Sequence, residues 1–352
     1  MKNQENIVVG VSVGDLNGIS GEIILKTFED SRILELCTPV IFASIKTMLF
    51  FKKHFKSSID FNSIHDIRSV NPGKVNVLNC WKEPVTINFG KEETKIGEYA
   101  LKSLEAATKA LKEKEIDVLV TAPINKHNIQ SEAFTFPGHT DYLAKELGRK
   151  SLMFMVTDTL KVGLLTDHVP VKDVSNHITE ALIIKKIDTV YHTLKKDFKI
   201  MKPKIAVLGI NPHTGDNGVI GSEDDAIMRP TLKKIKEDGK LVFGPYAADS
   251  FFGSNNYKNF DAIIASYHDQ GLIPFKTLSF GQGVNFTAGL TRVRTSPDHG
   301  TAYEIAGKGV ADEGSFKEAL FMGIKIFRNR VDFEELTANP LKKYPRKLGV
   351  KK

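Results

Sequence analysis

The chain predicts an α/β fold with a largely parallel sheet, on three observations. Short apolar runs rich in β-branched residues alternate with amphipathic helical runs along its length. Its 352 residues are enough for two domains with substantial cores. Its 41% apolar and 26% charged residues, with no internal repeat or low-complexity tract, are those of an ordinary globular protein.

The elements follow in order. "NIVVGVSVG" (6–14) reads as a strand and "GEIILKTFEDSRILEL" (21–36) as helical. "PVIFAS" (39–44) and "IKTMLFFKKHF" (45–55) repeat the pair, and "KVNVLN" (74–79) is a further strand. Segment 97–114 carries Leu101, Leu104, Ala107 and Leu111 at helical spacing and leads into the strand "DVLVTAP". "SLMFMVT" and "KVGLLT" come next, then a helix over 178–198, "KIAVLGI", a helix over 223–238, "LVFGPY" and "DAIIAS". "PINKHNIQSEAFTFPGHT" breaks periodicity near 125–137 and marks a domain boundary. The last residues, "NPLKKYPRKLGVKK", read as a frayed basic tail.

Charge and cysteine usage exclude several classes. The net charge of +7 rests on lysines that alternate with acids in segments such as "KSLEAATKALKEKE", the pattern of a solvated helix face. No basic patch carries interleaved aromatics, so no nucleic-acid partner is expected. No run reaches membrane-spanning length, the N-terminus lacks signal-peptide character, and two cysteines make no disulfide framework. The expected setting is cytoplasmic.

Three strand-like runs end on a histidine. "KVGLLTDHVPV" delivers His168, "KIAVLGINPHTGD" His213 and "DAIIASYHDQG" His268, each with a carboxylate nearby (Asp167, Asp216, Asp269). Ligand crevices of open α/β sheets lie outside the carboxyl ends of strands. Three imidazoles meeting there would form a facial metal site, with the carboxylates orienting the rings. Any one of them alone would read as an ordinary loop histidine.

The glycines of "VGDLNGISGE" fall at 14, 18 and 21, which is not the dinucleotide-binding G-x-G-x-x-G, and no Walker lysine is present. Downstream, Lys276, Asn285, Arg292 and Arg294 lie among glycines and point to an anionic, phosphorylated ligand. His139 and His299 sit in loops bounded by glycine and proline, where a polar ring commonly meets a ligand.

"TAPINK", "PGHTDYLA", "DHVPVKDV", "NPHTGDNGVIGSED", "GPYAADSFF", "YHDQGLIPFK" and "GVNFTAGLTRVRTSPDHGTAYEIAGKGVAD" together resemble the signature blocks of the 4-hydroxythreonine-4-phosphate dehydrogenase (PdxA) family, along nearly the whole chain. The resemblance implies an isocitrate/isopropylmalate dehydrogenase-like fold of two α/β domains, each with a largely parallel sheet, flanking a cleft. Domain 1 is then 1–130 plus 305–352. Domain 2 is 131–304, with most metal and substrate residues and the interface of a homodimer that shares its active sites. It implies His168, His213 and His268 as metal ligands, with His268 completing the other chain's site. His139, Thr140, Lys276, Asn285 and Arg294 become substrate contacts, and His299, Gly300, Thr301 and Ala302 cofactor contacts.

The implied reaction is NAD- or NADP-dependent oxidation of 4-phosphooxy-L-threonine in pyridoxal 5'-phosphate synthesis. The product, 2-amino-3-oxo-4-(phosphooxy)butanoate, decarboxylates to 3-amino-2-oxopropyl phosphate. A divalent metal (zinc, cobalt or magnesium) assists, and Asp249, then Lys126, are the candidate general bases. Alternatives are a dehydrogenase of threonate or erythronate 4-phosphate or of a dihydrodiol carboxylate, a tri-histidine zinc hydrolase, and an inactive binding protein. The first loop departs from the family's usual "GDPAGIGPE" at Leu16, Ser20 and Gly21, and the loss of two prolines should loosen it.

Overall fold

The computed structural model describes residues 6–132, 134–136, 138–147 and 151–341. Most of the predicted basic tail lies outside the described residues. The chain opens with β1 (Val8–Ser12), α1 (Ser20–Phe28), α2 (Ile33–Leu36), β2 (Thr38–Ala43), α3 (Ile45–His54), β3 (Phe61–Ile64), β4 (Val75–Asn79), α4 (Thr94–Lys112) and β5 (Val118–Thr121). It continues with α5 (His139–Glu146), β6 (Leu152–Val156), β7 (Lys161–Leu164), α6 (Val174–His177), α7 (Glu180–Lys196), β8 (Lys204–Leu208), α8 (Arg229–Glu237) and β9 (Leu241–Tyr246). The last elements are α9 (Ala248–Gly253), β10 (Ala262–Ala265), α10 (His268–Ser279), β11 (Val284–Ala288), β12 (Val293–Pro297) and α11 (Gly314–Thr337).

The α/β class is as expected, but the two anticipated sheets are one. Twelve strands pair in the order β3-β4-β2-β1-β5-β12-β11-β6-β7-β10-β8-β9. Eight pairings are parallel. The three antiparallel ones surround β11 and β6 in the middle. The strands β3 to β12 therefore run opposite to the strands β7 to β9. The expected domain boundary falls in the irregular connection between β5 and α5, while β12, expected in domain 2, pairs directly with β5.

Strand alternation explains where the site forms. Val118 and Val120, Val293, Val284 with Phe286 and Ala288, and Leu152 with Phe154 and Val156 all point into one continuous core. That core also takes side chains from α1, α3, α7, α8 and α11. Residues one step along each strand face the other way. On that second face, α4 and α5 cover one end over Val40, Phe42 and Leu119. Phe251 of α9 and Leu272 and Phe275 of α10 cover the other, over Met153, Met155, Val162 and Leu164. Between the two patches the second face carries Thr121, Arg294, Ser296, Asn285 and Thr287, and a cavity opens over the first four. Among the described residues no helix is long and apolar enough to cross a membrane.

Candidate functional site

The cavity floor is two cross-strand rows. Asn285 of β11 sits opposite Ser296 of β12 and Met155 of β6, and Thr287 sits opposite Met153. Arg294 is 1% exposed, and its guanidinium donates to Thr121 Oγ1 (3.2 Å from Nε, 2.5 Å from Nη2) and Thr287 Oγ1 (3.1 Å from Nη1). No carboxylate pairs with it among the described residues, and burial pulls it from 12.5 down to about 9, so it remains cationic at neutral pH. A larger groove of about 1030 Å³ between α7 and α11 offers a contrast. Its Arg330 is locked to Asp197 by bonds of 2.7 and 3.1 Å and so is already neutralised. Of these two cavities, the sheet-face one presents a buried cation without an anion.

The walls come from strand exits and helix starts. Gly138, His139, Thr140 and Asp141 line the cavity at the start of α5, and Lys126 lines it from the segment after β5. From the opposite side come His168 after β7, and His268, Leu272 and Lys276 on α10. Asp298, His299 and Gly300 close the end beyond β12. Lys276 Nζ donates to the Asp298 carbonyl at 2.9 Å. Three buried polar atoms in this lining have no hydrogen-bond partner: His139 Nε2, Asn285 Oδ1 and His299 Nε2. Buried polar atoms are normally paired, so a cluster of orphans around one cavity marks a ligand's place. Burial, then Arg294 and Lys126, pushes the His139 imidazole well below its usual range, and the ring is neutral at pH 7.

Of the three strand-exit histidines, two meet. The rings of His168 and His268 lie 6.3 Å apart, centre to centre, tilted by 35°. Asp269 Oδ1 is 2.7 Å from His268 Nδ1 and orients that ring as expected, whereas Asp167 instead accepts the His168 backbone N–H at 3.1 Å. The strand ends are laced together: Gln270 accepts from Ser266 N and donates to the Gly209 carbonyl, both at 2.7 Å, and Thr166 Oγ1 donates to Ser266 O.

His213 is elsewhere. It begins a run of left-handed residues, His213 to Gly218, that turns the chain outward after β8. Asp224 holds the base of this exposed loop by accepting Ile210 N and Asn211 N, and at its far end Val219 and Ile220 are 82% and 45% exposed. Among the described residues no three His, Cys, Asp or Glu side chains could hold one ion. Within this chain His268 shares the cavity with His168, and His213 is the one left out. The physical cause is the left-handed turn, whose "HTGDNG" composition is the sequence signal for it.

Other expected residues divide similarly. Lys126, His139, Thr140, Lys276, Asn285, Arg294, His299 and Gly300 all line the cavity. Asp249 does not: it is exposed in the first turn of α9, at the sheet edge beyond β9. Thr301 and Ala302 turn toward the first loop, where Thr301 O accepts Ile19 N at 3.0 Å and leaves no room for a Cβ on Gly18. That loop is held despite its missing prolines. Leu16 is fully buried, and Asp15 accepts from Asn17 N, Gly18 N, Asn128 Nδ2 and Tyr303 OH. Asp141, Asp298, Thr121, Thr287 and Ser296 were not anticipated. The alternation of β11 and β12 would have exposed the last two strand faces, had those segments not been read as ligand-binding loop.

Comparison with known proteins accords with this geometry. Residues 35–323 match the family described as pyridoxal phosphate biosynthetic protein PdxA. A 4-hydroxythreonine-4-phosphate dehydrogenase of Bacteroides thetaiotaomicron is 47% identical over 97% of this chain and 94% of its own. A D-threonate 4-phosphate dehydrogenase of Cupriavidus necator is 34% identical over 92% of this chain and 98% of its own. The crystal structure of a 4-hydroxythreonine-4-phosphate dehydrogenase from Klebsiella pneumoniae superposes with a TM-score of 0.78 at 29% identity, covering 92% of this chain and 98% of that one. With a match over most of its length and relatives this similar end to end, the chain belongs to the PdxA family of pyridoxal phosphate biosynthetic proteins.

Proposed function

We propose that the protein oxidises the C3 hydroxyl of 4-phosphooxy-L-threonine, passing hydride to NAD or NADP, and that the resulting β-keto acid loses CO2. The observation that carries this reading is Arg294, buried without a carboxylate and facing a cavity lined by four imidazoles and two lysines. Arg294, Lys276 and Asn285 would hold the phosphate and carboxylate, and neutral His139 would hydrogen-bond through its free Nε2.

His168 and His268 fit a divalent metal. Two imidazoles sharing an ion through bonds of about 2.1 Å have centres about 4.5 to 5.5 Å apart, so small ring movements from the 6.3 Å seen here would bring both onto one ion. Zinc or cobalt suits such nitrogen donors, with magnesium the harder alternative. A third ligand would be His213 from a second copy, delivered on its projecting loop. Beside the histidine pair, a hollow lined by His168, His268, Asp167 and Asp269 with Val169, Pro170, Val171 and Tyr267 would seat Val219 and Ile220 against its apolar side. His299 and Gly300 would meet the nicotinamide cofactor: His299 offers an unpartnered nitrogen and nothing lies within 4 Å of where a Gly300 Cβ would be. Bound metal supplies Lewis-acid polarisation of the oxidised oxygen, and the bound nicotinamide accepts hydride. Of the two candidate bases only Lys126 lines the cavity, and it would receive the hydroxyl proton. Asp249 follows β9 as His213 follows the neighbouring β8, and would reach a site only from a second copy. A cytoplasmic setting suits Cys37 and Cys80, both free thiols.

The test is reduction of NAD(P)+ by the purified protein with 4-phosphooxy-L-threonine, with and without chelator. Chelator-sensitive NAD(P)H formation is expected, and it would exclude a zinc hydrolase, which needs no nicotinamide. No reduction in metal-replete protein would overturn the reading. The Cupriavidus relative favours a second substrate, D-threonate 4-phosphate, which the same cavity floor could hold.

A further inference from the structure

The cavity's charges do not all serve anions. Lys126, Lys276 and Arg294 line it, but so do two carboxylates, Asp141 and Asp298. Asp298 is engaged: its Oδ1 accepts from Ser315 Oγ at 3.2 Å, and the other oxygen would clash with any side chain at position 283. Asp141 makes no hydrogen bond or ion pair among the described residues. It follows His139 and Thr140 in the first turn of α5, half-buried, on the same cavity wall. Lys186 on α7 senses it only through space: burial lowers that ammonium, and Asp167, then Asp141, partly offset the effect.

An open carboxylate in a cavity built around a buried guanidinium costs binding energy for a purely anionic ligand and gains it for a zwitterion. The candidate substrates differ at this point. 4-Phosphooxy-L-threonine carries an ammonium at C2, whereas the threonate phosphate carries a hydroxyl there. We propose that Asp141 receives the C2 ammonium and sets the preference for 2-amino over 2-hydroxy phosphorylated acids. This rests on the reading of the cavity given above. The hydroxyl ligand can still donate one hydrogen bond to Asp141, but it brings no charge to match it.

The experiment measures dissociation constants of both ligands by calorimetry in metal-loaded wild-type, Asp141→Asn and Asp141→Glu protein, with thermal melts to confirm folding. The ratio of affinities, amino over hydroxy, should fall by about tenfold or more in Asp141→Asn, the scale of a lost charge-assisted hydrogen bond. Asp141→Glu should recover part of it. A first-turn acid also favours its helix electrostatically, but losing that role would lower the melting temperature without changing the ratio. A ratio within threefold of wild type in folded Asp141→Asn overturns the assignment while leaving the oxidation reading intact. Wild-type protein that binds neither ligand overturns both.

Discussion

Arg294 is the residue on which the site turns. Arginine is almost never fully buried unless paired, because taking its charge out of water costs several kcal/mol. Here the protein supplies three bonds to threonine hydroxyls, which satisfy guanidinium N–H groups but do not neutralise the charge. An anionic ligand would complete the pair, so the unliganded fold carries a penalty that binding relieves. Replacing Arg294 by methionine removes the charge with little change in volume. The Tm of Arg294→Met should therefore be unchanged or higher, while kcat/KM for the phosphorylated substrate falls about 100-fold or more. A large drop in Tm with activity retained would show that the arginine is structural. Sequence alone suggested an anion-binding residue here but not its burial, since Arg292, two positions away, has the same composition and no place in the cavity.

At the scale of elements, α10 is the part with most at stake, because His268 and Lys276 both ride on it, two turns apart. It lies close against β7 and β10. A Cβ on Gly271 would stand 2.9 Å from Ala265 Cβ and Leu164 Cδ2 and 3.0 Å from Val162 Cγ1. A valine there must lift the helix from the sheet. Overpacking of this kind costs about 1–3 kcal/mol, which this core can absorb. Gly271→Val should thus remain folded by circular dichroism, with a lower Tm, and lose at least about tenfold in kcat/KM because both ligands move together. Undiminished activity would mean that the helix position does not matter. The strand preceding α10 was legible as an apolar run; the helix was not, because "YHDQGLIPFK" contains glycine and proline that read as loop. Pro274 is tolerated inside it.

At the scale of the whole molecule, one sheet with two opposed parallel sets leaves its second face uncovered in the middle. The cavity occupies that gap, and the histidine pair sits at the carboxyl edge of the second set. His213 projects from the same edge, away from its own chain's pair. If a second copy supplies it, mixed dimers of His168→Ala and His213→Ala chains will each contain one intact site. Mixing and reassociating the two inactive variants should recover about a quarter of wild-type activity, together with bound metal. No recovery, in mixtures shown to exchange subunits, would mean that His168 and His213 serve a site from the same chain or that His213 is no ligand.

The sequence by itself determined the α/β class, the strand exits, the cation-rich segment and the family, because hydrophobic period and local motifs are properties of neighbours along the chain. It also marked the histidines, the lysines and the arginine that line the cavity, though not Thr121, Asp141, Ser296 or Asp298. Only the tertiary structure decided that the two sheets are one, that His168 pairs with His268 and not His213, that Asp249 lies outside, and that Arg294 is buried without an anion. Each of these depends on strand order and on a single left-handed turn, and pairing between residues far apart in sequence is set by which faces the whole fold buries, not by any local pattern.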